Sequence, residues 1–452
     1  MNKNKNLIDG KVLPVLVKFT IPILLTILLQ IAYGTADLFI VGQFSDVNNV
    51  SGVSIGSQLS QIFTNACVGI SMGTTVLIGR YVGSGEKEKA SKVVGTSIFT
   101  FAILAIVCTT IIVSLANPLI TLMQAPAESF EQAKSYLIIA GIGSIFIVAY
   151  NLLGSVFRGI GDSKTPLIAV AIACVANILL DLLFVAGLQM GSSGAATATV
   201  IAQGISVLLS VIIIKKKGLP FKFKAKDIGY DKEYIKDIFT IGIPAALQMV
   251  LASFSFLVIS SILNSLGVSA SAAVGIVGKI TAFILIMPQA FGQALSAFTA
   301  QNIGAQKPER ASKALKVAIL ISVVYGFFSA YVSFFHGEIF THIFNADTET
   351  TICALSYMKA YSLDCLLVAF MFNFNGYFNG CGRTKFVMYN SVIASFLVRI
   401  PVSYLFSTFA NPSLFLIGLA VPISSLFQVI ISIFYFRNIK KASLKAKTDT
   451  LS

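Results

Sequence analysis

Tryptophan is absent from this 452-residue chain, histidine occurs only twice, and charged residues make up 12% of it. Soluble domains run at about 25% charged, so a water-facing fold is excluded. The 56% hydrophobic content needs lipid as its solvent. Without tryptophan, the aromatic belts at the two membrane surfaces must come from the 14 Tyr and 36 Phe. The six cysteines (Cys67, Cys108, Cys174, Cys353, Cys365 and Cys381) contain no Cys-x-x-Cys pair and fall mostly inside apolar runs, as small core residues do. His336 and His342 are too few for a metal centre. There is no His-Glu-x-x-His and no Cys/His cluster. The chain is therefore expected not to be an enzyme and to use no cofactor.

Apolar runs of 20 or more residues recur from end to end, each long enough to cross a hydrocarbon core of about 30 Å. They do not alternate with a period of two, so they do not read as barrel strands, and lipid leaves helices as the remaining solution. The spans predicted are 14–40, 51–79, 93–116, 133–157, 166–188, 193–214, 238–263, 271–300, 315–335, 351–378, 386–409 and 413–436. The first is too long for a signal-peptide core and reads as a retained span.

The net charge of +14 would suggest nucleic acid on a soluble chain. Here it is sorted by position: 29 of the 33 basic residues fall on the side that holds the two termini and alternate loops. The opposite side carries Lys134 and Lys359, and Lys279 and Arg399 lie deeper inside spans. The positive-inside rule then places both termini in the cytoplasm of a multi-pass protein of the cell (inner) membrane. Membrane lipids, not nucleic acid, are its surroundings, and the basic stretch Lys215–Lys236 reads as a cytoplasmic linker.

Two motifs recur at one offset. GRYVGSGEKEKASK at 79–92 aligns with AQNIGAQKPERASK at 300–313, and SVFRGIGDSKT at 155–165 with GYFNGCGRTKF at 376–386, both 221 residues apart. Ile21-Pro22 meets Ile243-Pro244 at 222. Six spans per half is an even number, so the halves are parallel repeats, an architecture of transporters. The fold expected is all-α and polytopic: twelve transmembrane helices in two parallel six-helix repeats forming two lobes. The bundles expected are 1–222 and 223–452, with the linker 215–236 at the boundary.

Polar residues inside the spans cost about 2.5–3.5 kcal/mol each when charged and mark function by default. Thr26, Gln30, Tyr33 and Asp37 share one helix face, and Ser54, Gln58, Gln61 and Asn65 repeat the device in the next span. These two stripes suggest a hydrated substrate cavity in the first half, with Lys279, the repeat counterpart of Gln58, on the opposite wall. Asn177 and Asp181 lie four apart in span five. At about 1.5 Å per residue, Asp37, Asn177, Asp181 and Thr199 come to one level. Two close carboxylates cannot both ionise cheaply, so the cluster should take up a proton or a hard cation such as sodium. The second half has Ile259, Val398 and Val402 at the positions equivalent to Asp37, Asn177 and Asp181. Its acid Asp364 stands alone, a partner for Lys279 or Arg399. Pro22 and Pro244 mark candidate hinges.

PILLTILLQIAYGTADLFIVGQ (22–43), RGIGDSKTPL (158–167) with NGCGRTK (379–385), QNIGAQKPERA (301–311) and VRIPVSYL (398–405) together resemble the multidrug and toxic compound extrusion (MATE) family over nearly the whole chain. The resemblance implies two bundles in a V and export of lipophilic or cationic small molecules by antiport against sodium or protons, by a monomer. It matches Asp37 to the family's first-span acid and Asn177, Asp181 and Thr199 to the amino-terminal cation site of one branch. Pro22 matches a proline implicated in bending the first span. Another branch carries a Glu where this chain has Ala252 and an Asp where it has Val368, with Asp364 a turn away. A lipid-linked sugar flippase or a metabolite exporter of the same superfamily is the alternative. It would favour a larger, more basic cavity than Lys279 and Arg399 supply.

Overall fold

The computed structural model describes residues 7–343, 347–409 and 413–449. Eleven helices among them are long and apolar enough to cross a membrane: α1 Val12–Phe44, α2 Val47–Ser84, α3 Lys87–Ser114, α5 Lys164–Gly187, α6 Gly191–Lys217, α7 Lys232–Asn264, α8 Val268–Gly304, α9 Pro308–Phe335, α10 Thr348–Gly380, α11 Thr384–Ser407 and α12 Leu414–Lys441. The twelfth span, α4, is a pair, Ala127–Ile142 and Ser144–Ile160, bent by 52°. The chain is a multi-pass helical membrane protein. Each expected span is present, and most run several residues further at each end. Hydropathy fades at the membrane surface, whereas a helix continues to its cap. Asp46 caps α2 through the Asn49 amide, and Asp231 caps α7 through those of Glu233 and Tyr234.

The repeat is visible in the backbone as well as in the letters. Gly161 and Gly382, at the 221-residue offset, both take a positive φ (84° and 73°) that ends α4 and α10. In both turns the next amide reaches back to a phenylalanine carbonyl, Asp162 to Phe157 and Arg383 to Phe378, at 2.8 Å. These turns belong to the end of the molecule that carries the basic loops, here the basic end.

The first helix of each repeat changes partners along its length. Near the basic end, Leu16, Phe19, Ile23 and Ile27 of α1 pack on Phe298, Leu315 and Phe378 of the second half. Near the far end, Ile40 and Val41 pack on Val53, Val185 and Ala195 of the first half. Helix α7 mirrors this. Its Ile238 and Ile241 sit among Val76, Leu77 and Phe101 of the first half, while Ile259 and Leu263 sit among Val277, Tyr357 and Ile417 of the second. The two six-helix repeats thus exchange helix segments at the basic end. Pro22 lies on the stretch of α1 held by the second half, and Thr26 donates its hydroxyl to the Pro22 carbonyl at 2.8 Å.

Hydrogen bonds tie the halves from mid-depth, where Asn65 Nδ2 donates to Ser253 Oγ at 3.2 Å, down to the basic end, where Arg80 Nη2 donates to the Cys381 carbonyl at 2.7 Å.

Candidate functional site

The polar residues of α1 sort onto two depths of one interior face. Gln30 and Tyr33 line a half-open pocket between α1, α4, α5 and α6, whose walls also include Tyr150, Asn177, Thr199 and Gln203. Gln30 Nε2 donates to the Tyr150 hydroxyl at 3.0 Å. One turn beyond Tyr33, Asp37 is 5% exposed and accepts the Thr199 hydroxyl on Oδ2 at 3.0 Å. Asp181 and Asn177 are the other polar side chains that neighbour the Asp37 carboxylate. The structure therefore brings Asp37, Asn177, Asp181 and Thr199 into one cluster, built from α1, α5 and α6.

Asn177 and Asp181 are 1% and 0% exposed. Asp37 Oδ1, both Asp181 oxygens and both polar atoms of the Asn177 amide make no well-formed hydrogen bond among the described residues. Five orphaned polar atoms around two carboxyl groups are costly in lipid unless a proton or a cation joins them. The donors available to such a guest are oxygens: two carboxylates, an amide and a hydroxyl. That set suits a hard monovalent cation or a shared proton, and a soft metal poorly.

Two features escaped the sequence reading. Tyr136, 5% exposed, is a neighbour of Asp37, Asp181 and Thr199. A lone tyrosine in an apolar run reads as packing or belt, so only its neighbours reveal it. Immediately after Asp181, residues Leu182–Gly187 widen into a π-helix, a local irregularity frequent at functional sites.

Other expected site residues lie elsewhere. Gln58 and Gln61 are exposed on α2, bonded within their own helix to Ser54 at 3.4 Å and Asn65 at 3.0 Å. Asn65 faces Ser253 of the second half. The α2 stripe thus looks across the seam between the halves, not into the α1 pocket. Lys279 on α8 is likewise exposed. In the second half, Arg399 is 4% exposed, its Nε donates to Ser424 Oγ at 2.9 Å, and its guanidinium lies 4.7 Å from the Phe256 ring centre. Its charge acts on Asp364, which is 3% exposed and faces Ser425. Among the described residues, the second half therefore buries one acid whose charge is felt by a buried base, without an ion pair between them, whereas the first buries two acids side by side.

Comparison with known proteins agrees with this two-part architecture. The family model MatE matches residues 22–183 and again 244–405, one match per repeat. The chain is 25% identical over 442 residues to the probable multidrug resistance protein YpnP of Bacillus subtilis, covering 98% of both chains. It is 24% identical over 402 residues to the multidrug export protein MepA of Staphylococcus haemolyticus, covering 88% of each. Among solved structures, an outward-facing multidrug resistance MATE transporter superposes with a TM-score of 0.91 at 21% identity, over 99% of both chains. A MOP-superfamily transporter from Pyrococcus furiosus, described as having a binding pocket of reverse polarity, gives 0.92 at 21% identity, over 98% of this chain and 99% of that one.

Proposed function

We propose, from the premise that this chain belongs to the MatE family of membrane transporters, that it exports lipophilic or cationic small molecules by antiport against sodium or protons. The observation that carries this reading is a shared wall. Asn177 and Thr199 line the pocket and also surround Asp37. Whatever neutralises Asp37 and Asp181 therefore reshapes the pocket, and a cationic cargo and a coupling cation compete for the same negative charge. Competition of that kind is sufficient for exchange.

Tyr33 and Tyr150 offer ring faces to a cationic cargo, and the relatives named for multidrug export support that cargo class. None of the residues lining the pocket is basic, which disfavours an anionic lipid-linked sugar. On this reading the basic end faces the cytoplasm, following the positive-inside rule, and the far end opens outward. Alternating access is a rocking of the two halves about the seam, with α1 as the connecting element because its two ends belong to different halves.

The test is efflux of a fluorescent lipophilic cation from proteoliposomes under an imposed sodium gradient and then an imposed pH gradient. Efflux driven by either one supports antiport. Efflux under neither gradient, with uptake of an anionic cargo instead, would refute it.

A further inference from the structure

At the basic end the two halves are locked by repeat-related contacts. Arg80 of α2 and Gln301 of α8 stand at the 221-residue offset, and each reaches the backbone of the other half. Arg80 Nη2 donates to the Cys381 carbonyl at 2.7 Å, and Gln301 Nε2 donates to the Gly159 carbonyl at 2.8 Å. The helices cross closely because Gly83 and Gly304, also one repeat apart, lack side chains. A Cβ on Gly83 would overlap the Gln301 carbonyl, and one on Gly304 the Arg80 carbonyl.

The segment leading into each repeat crosses to the other half, but the two crossings differ. The linker before α7 lies on α3, where Ser91 donates to Asp227 Oδ2 at 2.7 Å, and Ile228 is left 43% exposed. The equivalent Leu7, before α1, is 3% exposed and packs in the core of the second half. It enters the seam itself. The Leu7 amide donates to Gln301 Oε1 at 3.2 Å, so one glutamine side chain holds the amino-terminal segment and the first half together. Asn302 Nδ2 donates to the Leu7 carbonyl at 3.3 Å. The Arg310 guanidinium gathers the carbonyls of Leu7, Asp9 and Gly10, at 3.3, 2.8 and 2.5 Å. Lys307 Nζ donates to the Ile8 carbonyl at 3.0 Å and pairs with Asp9 at 3.3 Å.

We propose that Leu7–Gly10 is a strap that locks the seam at the basic end, with Gln301 and Arg310 as its positioning residues, and that opening toward the cytoplasm requires its release. This rests on the alternating-access reading above. The strap continues directly into α1, whose other end carries Asp37. Strap release and occupancy of the acid cluster therefore act on opposite ends of one helix. The repeat-related gate is close to symmetric, and the strap makes it one-sided.

The test reads conformation rather than transport. Ser296 on α8 is 0% exposed, with its hydroxyl 3.0 Å from Met72 Sδ across the seam. It lies roughly 7 Å along the helix from Gln301. Ser296→Cys, in the full chain with its native cysteines replaced, would be exposed to a membrane-impermeant maleimide applied from the basic side of the vesicles. Arg310→Ala and Leu7→Asp should each raise the labelling rate about tenfold, equivalent to about 1.4 kcal/mol in the opening equilibrium. Lys313→Ala, at an exposed charge on the same helix as Arg310, should leave it unchanged. If Arg80→Ala with Gln301→Ala exposes position 296 while the strap variants do not, the strap is overturned and the gate stands. If no variant exposes it, both the strap and the rocking of the halves at this seam are overturned.

Discussion

Thr199 gives its hydroxyl to Asp37 at 3.0 Å, joining α6 to α1 across 162 residues of sequence. It is the one hydrogen bond of good geometry that the Asp37 carboxylate accepts among the described residues, and Thr199 also forms part of the pocket wall. Removing that hydroxyl without changing side-chain volume should weaken the cluster's hold on its ion. A hydrogen bond to a charged group contributes about 1.5–3 kcal/mol. Thr199→Val should accordingly raise the sodium or proton concentration that half-saturates efflux by at least about tenfold, and Thr199→Ser should restore it. An unchanged ion dependence in Thr199→Val would remove Thr199 from the coupling site.

The pocket and the cluster should separate kinetically. Gln30 and Tyr150 touch each other and the pocket, and Gln30 lies about two turns along α1 from Asp37. Tyr150→Phe and Gln30→Leu should raise the KM for the exported cation about fivefold, a cost of about 1 kcal/mol per hydrogen bond lost. Ion dependence should stay fixed. Gln58→Leu, on the face turned to the seam, should change KM less than either, as measured by initial efflux rates over a range of cargo concentrations.

The buried acid and base of the second half predict a different pattern. Arg399 is the buried base whose charge reaches Asp364, and its removal leaves that carboxylate without it. Arg399→Leu should lower the melting temperature of the purified protein markedly, and Asp364→Asn with Arg399→Leu should recover most of the loss. Asp364→Asn alone should impair efflux less than Asp37→Asn at equal expression. The reverse order would place coupling in the second half.

The orientation is open to direct labelling. Leu188, 60% exposed, sits in the α5–α6 turn at the far end, and Lys217 ends α6 at the basic end. Leu188→Cys in intact cells should react with an impermeant maleimide, and Lys217→Cys should react only after permeabilisation. The opposite pattern would invert the topology.

The spans were legible because hydropathy is a local property, and the repeat because a constant offset survives divergence. Counting residues from the helix ends brought Asp37, Asn177, Asp181 and Thr199 to one level, and the structure places them side by side. Spacing gives a helix face but not the neighbour it meets. The Gln58–Gln61–Asn65 stripe therefore read as part of the α1 cavity, although it faces the seam. The exchange of α1 and α7 between halves was illegible for the same reason. Leu16 packs in the second half and Ile40 in the first, yet both are plain apolar positions on one helix. The bend in α4 and the π-helix after Asp181 leave no mark on an apolar pattern, because both rearrange the backbone without changing which residues are apolar.

The most direct measurement is gradient-driven efflux in proteoliposomes by Asp37→Asn, Asp181→Asn and the double variant at matched protein density. The two carboxyl groups are neighbours in one buried environment. They should therefore act as a unit, and units are non-additive. Each single variant should abolish efflux coupled to the sodium or proton gradient, and the double variant should be no worse than either. Partial losses that multiply in the double variant would contradict a shared site.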